Sequence, residues 1–223
     1  MLQKETATPD MIKMISELQS CDLLKDFALA GGTALSLQLG HRKSEDIDIF
    51  SIYKHDYKII FEFINNKFEE VDVIHKDEYS LQLLVDGIKV DIVSIKGKIL
   101  EIPIKDEEIT LFGLKDIAAM KLLAIQSRKE PKDYIDIAHL IEVLGLKEMI
   151  AAYKEKYDKD NIINVKKALA SAGHVNPYAW ENVKMFKKDI PLSMVKRVID
   201  DALLDYERKY EGNDSLWIRR KKS

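Results

Sequence analysis

The chain has 223 residues, 46% of them hydrophobic and 33% charged, enough to bury the core of one large domain or two small ones. Cys21 is its single cysteine, which excludes a disulfide framework and a cysteine-based zinc site. No apolar run reaches the length of a membrane span, and the first residues lack the apolar stretch of a secretion signal, so the sequence predicts a cytoplasmic protein without a membrane partner.

The formal net charge of −3 hides a split, because residues 1–110 carry 13 Lys/Arg against 21 Asp/Glu while residues 111–223 carry 22 against 17. An acidic half beside a basic half suits a metal-binding catalytic domain next to one that tolerates polyanions, although a basic tail alone would also tilt the balance. In chain order, Thr8-Pro9-Asp10 caps a first helix over 11–21. FALA (27–30) predicts a short buried strand running into Gly31-Gly32, and Thr33 to Leu39 has helical spacing. Residues 46–51 alternate as a strand, with Asp46, Asp48 and Phe50 on one face and Ile47 and Ile49 on the other. Residues 56–68 form an amphipathic helix whose core face is expected to hold Ile59, Ile60, Phe63 and Ile64. Strands follow at 71–76, 80–85 and 88–95, the last two joined by the hairpin dipeptide Asp86-Gly87. ILEIPIK (99–105) reads as an edge strand because of Pro103. From Leu114 onward the periodicity is helical, with helices expected near 114–129, 132–144, 146–157, 161–172 and 191–210, the last closed by Gly212. Period and composition both change near residue 110, which places the domain boundary there.

The chemistry concentrates in Gly31 to Phe50. A glycine turn opening a helix presents backbone N–H groups, which suits phosphate. Two carboxylates at i and i+2 on a strand share a face and can share a divalent cation. Each feature alone is common as a tight turn or an acidic surface strand. Together, at strand–turn–helix–strand spacing, they equip a site for phosphoryl or nucleotidyl transfer. Asp91 lies in the apolar strand IKVDIVSI, on one face with Lys89 and Val93; it is either an ordinary solvent-facing residue or a third carboxylate beside Asp46 and Asp48. Lys121 sits among Ala118, Ala119, Met120, Leu122, Leu123 and Ile125. It is either a rim lysine with its head in water or a phosphate ligand joined by Arg128. Asp133 and Asp136 share a helix face, and acids in a first helical turn also serve the helix dipole. His41 and His139 lack the partners of a zinc site. The tail WIRRKKS is a short basic run that suits either solubility or RNA.

The stretch LAGGTALSLQLGHRKSEDIDIFS resembles the first motif of the nucleotidyltransferase AbiEii/AbiGii toxin family: Gly-Gly-Ser/Thr, a helix, His-Arg, Ser, then Asp-x-Asp. DIAAMKLLAIQSRKEPKDYIDIAHL resembles its later Lys…Arg…Lys-Asp-x-x-Asp region. The resemblance spans roughly residues 25–145. It implies an α+β fold: a polymerase-β-like nucleotidyltransferase domain over 1–110, a mixed sheet with flanking helices, followed by an all-helical bundle over 111–223, with the cleft between them. It implies a nucleoside triphosphate as substrate and Mg²⁺, or Mn²⁺ in its place. A toxin of a bacterial toxin–antitoxin or phage-defence system is expected, with a cognate antitoxin as partner and an RNA end, such as that of tRNA, as acceptor. Residue by residue, it assigns Asp46 and Asp48 to the metal and Gly32 and Thr33 to phosphate; reading the residues for nucleotidyl transfer adds Asp91 to the metal, and Gly31, Arg42, Ser44, Lys121 and Arg128 to the nucleotide. Lys121 becomes the triphosphate contact and Asp136 an active-site acid. Thr33 stands where serine is commoner in the superfamily, and the third-acid position of Asp91 is less regular in this family. The rival readings are a catalytically silent nucleotide-binding module and an interaction protein that binds an antitoxin without chemistry.

Overall fold

A computed structural model describes residues 1–186 and 190–210; Gly212 and the WIRRKKS tail lie outside the described residues. The described chain forms two compact units, one of Met1–Gly113 rejoined by residues 184–186, the other of residues 114–183 and 190–210.

The first unit is built on one mixed sheet. Helix α1 (Pro9–Gln19) starts where Thr8 accepts the Met11 N–H, and it buries Met11, Met14, Ile15 and Leu18, the i, i+3, i+4, i+7 stripe of an amphipathic helix. Strand β1 (Ala28–Leu29) leads into helix α2 (Gly31–Leu39), which ends on the left-handed Gly40. Strand β2 (Asp46–Ser51) precedes helix α3 (Tyr57–Lys67), whose first N–H groups are capped by Asp56. Strands β3 (Val71–Lys76), β4 (Ser80–Val85), β5 (Ile88–Ser94), β6 (Ile104–Asp106) and β7 (Ile109–Leu111) complete the sheet in the order β3-β4-β5-β2-β1-β7-β6. β2 and β5 are parallel, as are β1 and β7. The β4–β5 hairpin turns on Asp86 and Gly87, both with positive φ, the backbone a two-residue turn needs to match strand twist. Ile47, Ile49, Val90, Ile92, Leu81 and Leu83 are fully buried, so one face of the central strands is core and the alternate residues lie on the other.

Two expectations change here. Ile60 and Ile64 of α3 are buried as expected, but Ile59 is exposed, and Tyr57 joins the core face. The expected edge strand at 99–105 begins only at Ile104, after Pro103, and pairs with β7 around Glu107, which takes a left-handed conformation. β6 is an outermost strand of the sheet, where a neighbouring proline costs no ladder bond.

The second unit is helical: α4 (Leu114–Ala124), α5 (Pro131–Leu144), α6 (Leu146–Tyr157), α7 (Ile163–Ala170), α8 (Pro177–Glu181) and α9 (Leu192–Tyr210). α4 is shorter than its periodicity predicts. Gln126 turns its amide onto the Leu122 carbonyl, and the Gln126 and Ser127 N–H groups bond three residues back, tightening the chain out of the helix. α5 opens with Pro131, where a missing N–H costs nothing. α9 buries Val195, Ile199 and Leu203 one turn apart, and a turn further Glu207 is buried against Lys166 at 3.0 Å. Lys156 and Asp116 form an ion pair at 2.6 Å with both side chains fully buried.

Candidate active site

Three elements of the first unit meet at the end of β1. The Ala30 N–H donates to the Asp48 carbonyl at 2.7 Å, which ties the start of α2 to β2. Gly31 then takes φ +63°, and a Cβ on it would lie 2.0 Å from Asp48 Oδ2. Only glycine fits: the backbone is left-handed and the carboxylate lies against its α-carbon. A Cβ on Gly32 would lie 2.2 Å from Arg42 Nη2, so the guanidinium covers the second glycine. The first turn of α2, whose N–H groups have no intrahelical acceptors, is thus bracketed by a carboxylate and a guanidinium.

Thr33 is fully buried. Its hydroxyl contacts Ser44 Oγ at 2.8 Å and donates to the Asp46 carbonyl. The side chain expected to bind phosphate therefore pins α2 to the start of β2, and Ser44 shares that latch. Arg42 is 3% exposed and donates from Nη1 to the Lys43 carbonyl at 2.9 Å. The segment bearing Arg42 and Ser44 is held from its other side by chain from far downstream. Arg42 bridges Met185, the Lys43 N–H donates to the Lys184 carbonyl at 2.8 Å, and the Phe186 N–H donates to the His41 carbonyl at 3.1 Å. Residues 184–186 therefore depart from the expectation that everything after residue 110 is helical bundle, and no local pattern in them announces it.

The acidic residues follow the strand register. The parallel β2–β5 ladder pairs Asp46 with Lys89 and Asp48 with Asp91. Because Ile47, Ile49, Val90 and Ile92 fill the core face, these four side chains share the opposite one. Lys89 Nζ reaches Asp91 Oδ2 at 2.9 Å, whereas Asp91 Oδ1 is buried and accepts no hydrogen bond. Burial draws the Lys89 ammonium's pKa down, but the bond to Asp91 and the charges of Asp91, Asp46 and Asp48 outweigh it and hold the group above the usual lysine range. No group of three or more His, Cys, Asp and Glu is arranged as a ready metal cage among the described residues. A magnesium site does not require one, since Mg²⁺ commonly keeps several waters and takes one or two carboxylates plus substrate phosphates. The all-oxygen donors of Asp46 and Asp48, with the orphaned oxygen of Asp91, fit such an ion.

The remaining predicted residues form a cluster of their own in the second unit. Lys121 is 4% exposed, which removes the rim-lysine reading. Its ammonium lies 2.8 Å from Asp133 Oδ1 and 2.6 Å from Asp136 Oδ2, with both aspartates fully buried. Arg128 reaches the same Asp133 through Nε at 2.7 Å and Nη2 at 3.2 Å, its side chain 52% exposed. Burial pushes the Asp133 carboxyl up, but Lys121 and Arg128 prevail and hold it below the usual carboxylate range. Asp133, which sequence alone offers as a first-turn acid, is the hub of this cluster. Lys89 is the other residue whose importance the sequence understates. Its signal was present in the i, i+2 spacing to Asp91, but the facing strand that gives it meaning comes from elsewhere in the chain.

No described helix is long and apolar enough to cross a membrane. The family model for the nucleotidyl transferase AbiEii toxin, Type IV toxin–antitoxin system, matches residues 16–211. The uncharacterized protein aq_aa25 of Aquifex aeolicus (strain VF5) is 30% identical over 194 residues, covering 85% of this chain and 94% of that protein. Among solved structures, JHP933 from Helicobacter pylori superposes with a TM-score of 0.60 at 13% identity, covering 96% of this chain and 95% of its own. The nucleotidyltransferase toxin MenT4 from Mycobacterium tuberculosis H37Rv superposes with a TM-score of 0.52 at 13% identity, covering 96% and 97%. The fold is the α+β fold of polymerase-β-like nucleotidyltransferases.

Proposed function

The chain belongs to the AbiEii family of nucleotidyl transferase toxins, and from that premise we propose that it moves a nucleotide from a nucleoside triphosphate to the hydroxyl end of an RNA, with tRNA as the leading acceptor, in the cytoplasm. The observation that carries this reading is the β2–β5 register, which sets Asp91 beside Asp48 on the strand face that also bears Asp46, with Asp48 packed on the Gly31 turn. In this reading Asp46 and Asp48, with Asp91, hold Mg²⁺ or Mn²⁺. Such an ion, when bound, neutralises triphosphate charge and favours in-line displacement at the α-phosphate.

The chain's own groups do the rest. Gly31 and Gly32 let phosphate approach the backbone N–H groups of α2. Arg42, held against Gly32, offsets charge on the pyrophosphate leaving group. Thr33 and Ser44 keep α2 and β2 in register, so their contribution is position more than direct contact. Asp91 would help hold an ion that lowers the pKa of the attacking hydroxyl. Of the two cations in the second unit's cluster, Arg128 has the exposed side chain and Lys121 is buried between Asp133 and Asp136. Lys121 then fixes the carboxylates of Asp133 and Asp136. Membership of a Type IV toxin–antitoxin family implies an antitoxin partner.

The test is incubation of the full chain with each labelled triphosphate, Mg²⁺ and total RNA. Transfer of label to an RNA band, lost in Asp48→Asn, is the expected result. Nucleotide binding by calorimetry without any label transfer would overturn the assignment in favour of a silent nucleotide-binding module.

A further inference from the structure

The face shared by β2 and β5 carries three carboxylates and one ammonium. Strand geometry places i and i+2 side chains roughly 7 Å apart and neighbouring strands about 4.8 Å apart, so the four groups occupy the corners of a small rectangle. Asp46 and Lys89 form one short edge, Asp48 and Asp91 the other. The Lys89 stem runs along the long edge to place Nζ 2.9 Å from Asp91 Oδ2. Lys89 is itself 42% exposed along its side chain, whereas Asp91 is 14% exposed. The ammonium can therefore swing into water without disturbing the core, and the carboxylate cannot follow it.

We propose that Lys89 is a built-in counter-cation of this site. It compensates the carboxylates, and Asp91 above all, while no divalent ion is bound, and it opposes the ion that replaces it. The inference rests on the reading of Asp46, Asp48 and Asp91 as the cation site. Without a cation, three acids on one small face repel one another, and Lys89 relieves that repulsion by holding Asp91 in its buried position. A divalent ion bound by the same acids meets a like charge on Lys89, and one of the two must give way. Because the lysine is the mobile member, the ion binds at the expense of the Lys89–Asp91 contact. Lys89 thereby sets how strongly the free protein holds a cation. A unit charge some 5 Å from a divalent ion would change affinity by several orders of magnitude at low dielectric. Solvent and the retreat of the side chain reduce this to roughly tenfold.

The experiment is titration of Mn²⁺ alone into the metal-free full chain, followed by calorimetry, for the parent, Lys89→Gln, Lys89→Met and Lys89→Arg. The two neutral variants should bind Mn²⁺ about tenfold more tightly than the parent, and Lys89→Arg should bind within a few-fold of it. Without metal the neutral variants should melt below the parent, and Mn²⁺ should raise their melting temperature by more than it raises the parent's. Lys89→Met keeps the aliphatic stem and drops only the charge, so it reads the effect independently of Lys89→Gln. Parental Mn²⁺ affinity in both neutral variants would overturn the role of Lys89 and leave the cation site standing. Failure of the parent and both neutral variants to bind Mn²⁺ would overturn both.

Discussion

Lys121→Met is expected to destabilise the protein severely, and the reason lies in burial more than in any phosphate contact. The ammonium lies 2.6 Å from Asp136 and 2.8 Å from Asp133, and both carboxylates are fully buried. Methionine keeps most of the aliphatic stem, so packing is nearly conserved and the change is electrostatic. Asp133 retains Arg128, but the fully buried Asp136 loses its ion pair with Lys121. Removing one partner of a buried pair typically costs about 3–5 kcal/mol. For a chain of this size each kcal/mol shifts the melting temperature by roughly 2–4 °C, so a fall of about 6–20 °C follows. Adding Asp136→Asn to Lys121→Met should recover much of it, since a neutral pair strands no charge. The assay is thermal melting of the single and double variants without nucleotide. A single variant that melts within about 2 °C of the parent, at neutral pH, would refute the reasoning. Because of this effect, lost activity in a Lys121 variant reports on phosphate only when folding has been checked.

Asp48→Asn should lower nucleotide transfer by orders of magnitude, because metal catalysis supplies several kcal/mol of transition-state stabilisation. The metal-free melting temperature should stay level or rise slightly; transfer at the parental rate would remove this carboxylate from the site. Gly31→Ala should cost roughly 1–2 kcal/mol for its left-handed backbone alone, plus the displacement of Asp48. Gly87→Ala, also at positive φ but with nothing near its Cβ, should cost the backbone term only. Equal melting temperatures for the two would show that the Asp48 contact is slack. Asp133 has its folded pKa held down by Lys121 and Arg128. Its contribution is therefore present above the unfolded value of about 3.9 and lost as pH falls through the lower folded value. The stability gap between the parent and Asp133→Asn, followed by urea melts from pH 7 to pH 2, should close at the acid end; a gap constant with pH would contradict this.

Much of the fold is legible in local pattern. Alternation at 46–51, the Asp86-Gly87 turn and the capped helices at Pro9 and Asp56 are decided by residues close in sequence. What escapes the sequence depends on distant chain. ILEIPIK has the composition of a strand, yet its outcome follows from pairing β7 with β1 and turning at Glu107. The hydroxyl of Thr33 reads as a phosphate ligand, and its contact with the Asp46 carbonyl, supplied by β2, is not visible in the motif itself. Lys121 reads as a rim lysine or a phosphate contact because nothing in its own helix reveals two buried aspartates on the next. The position of Asp91 beside Asp48 comes from strand order, since alternation gives a face but not a neighbour.

The bridge from Met185 to Arg42 bears on how this toxin could be cut or expressed in parts. A fragment ending at Gly113 keeps every strand of the sheet. It nonetheless lacks the backbone that meets His41, Arg42 and Lys43, supplied by residues 184–186. During synthesis at about 5–20 residues per second, the interval between completing the sheet and delivering that backbone lasts several seconds. Throughout it, the backbone of His41 to Lys43 is without the contacts that residues 184–186 supply. The first unit is thus continuous in space but not along the gene, and the smallest piece that completes its Arg42 segment must run through Phe186.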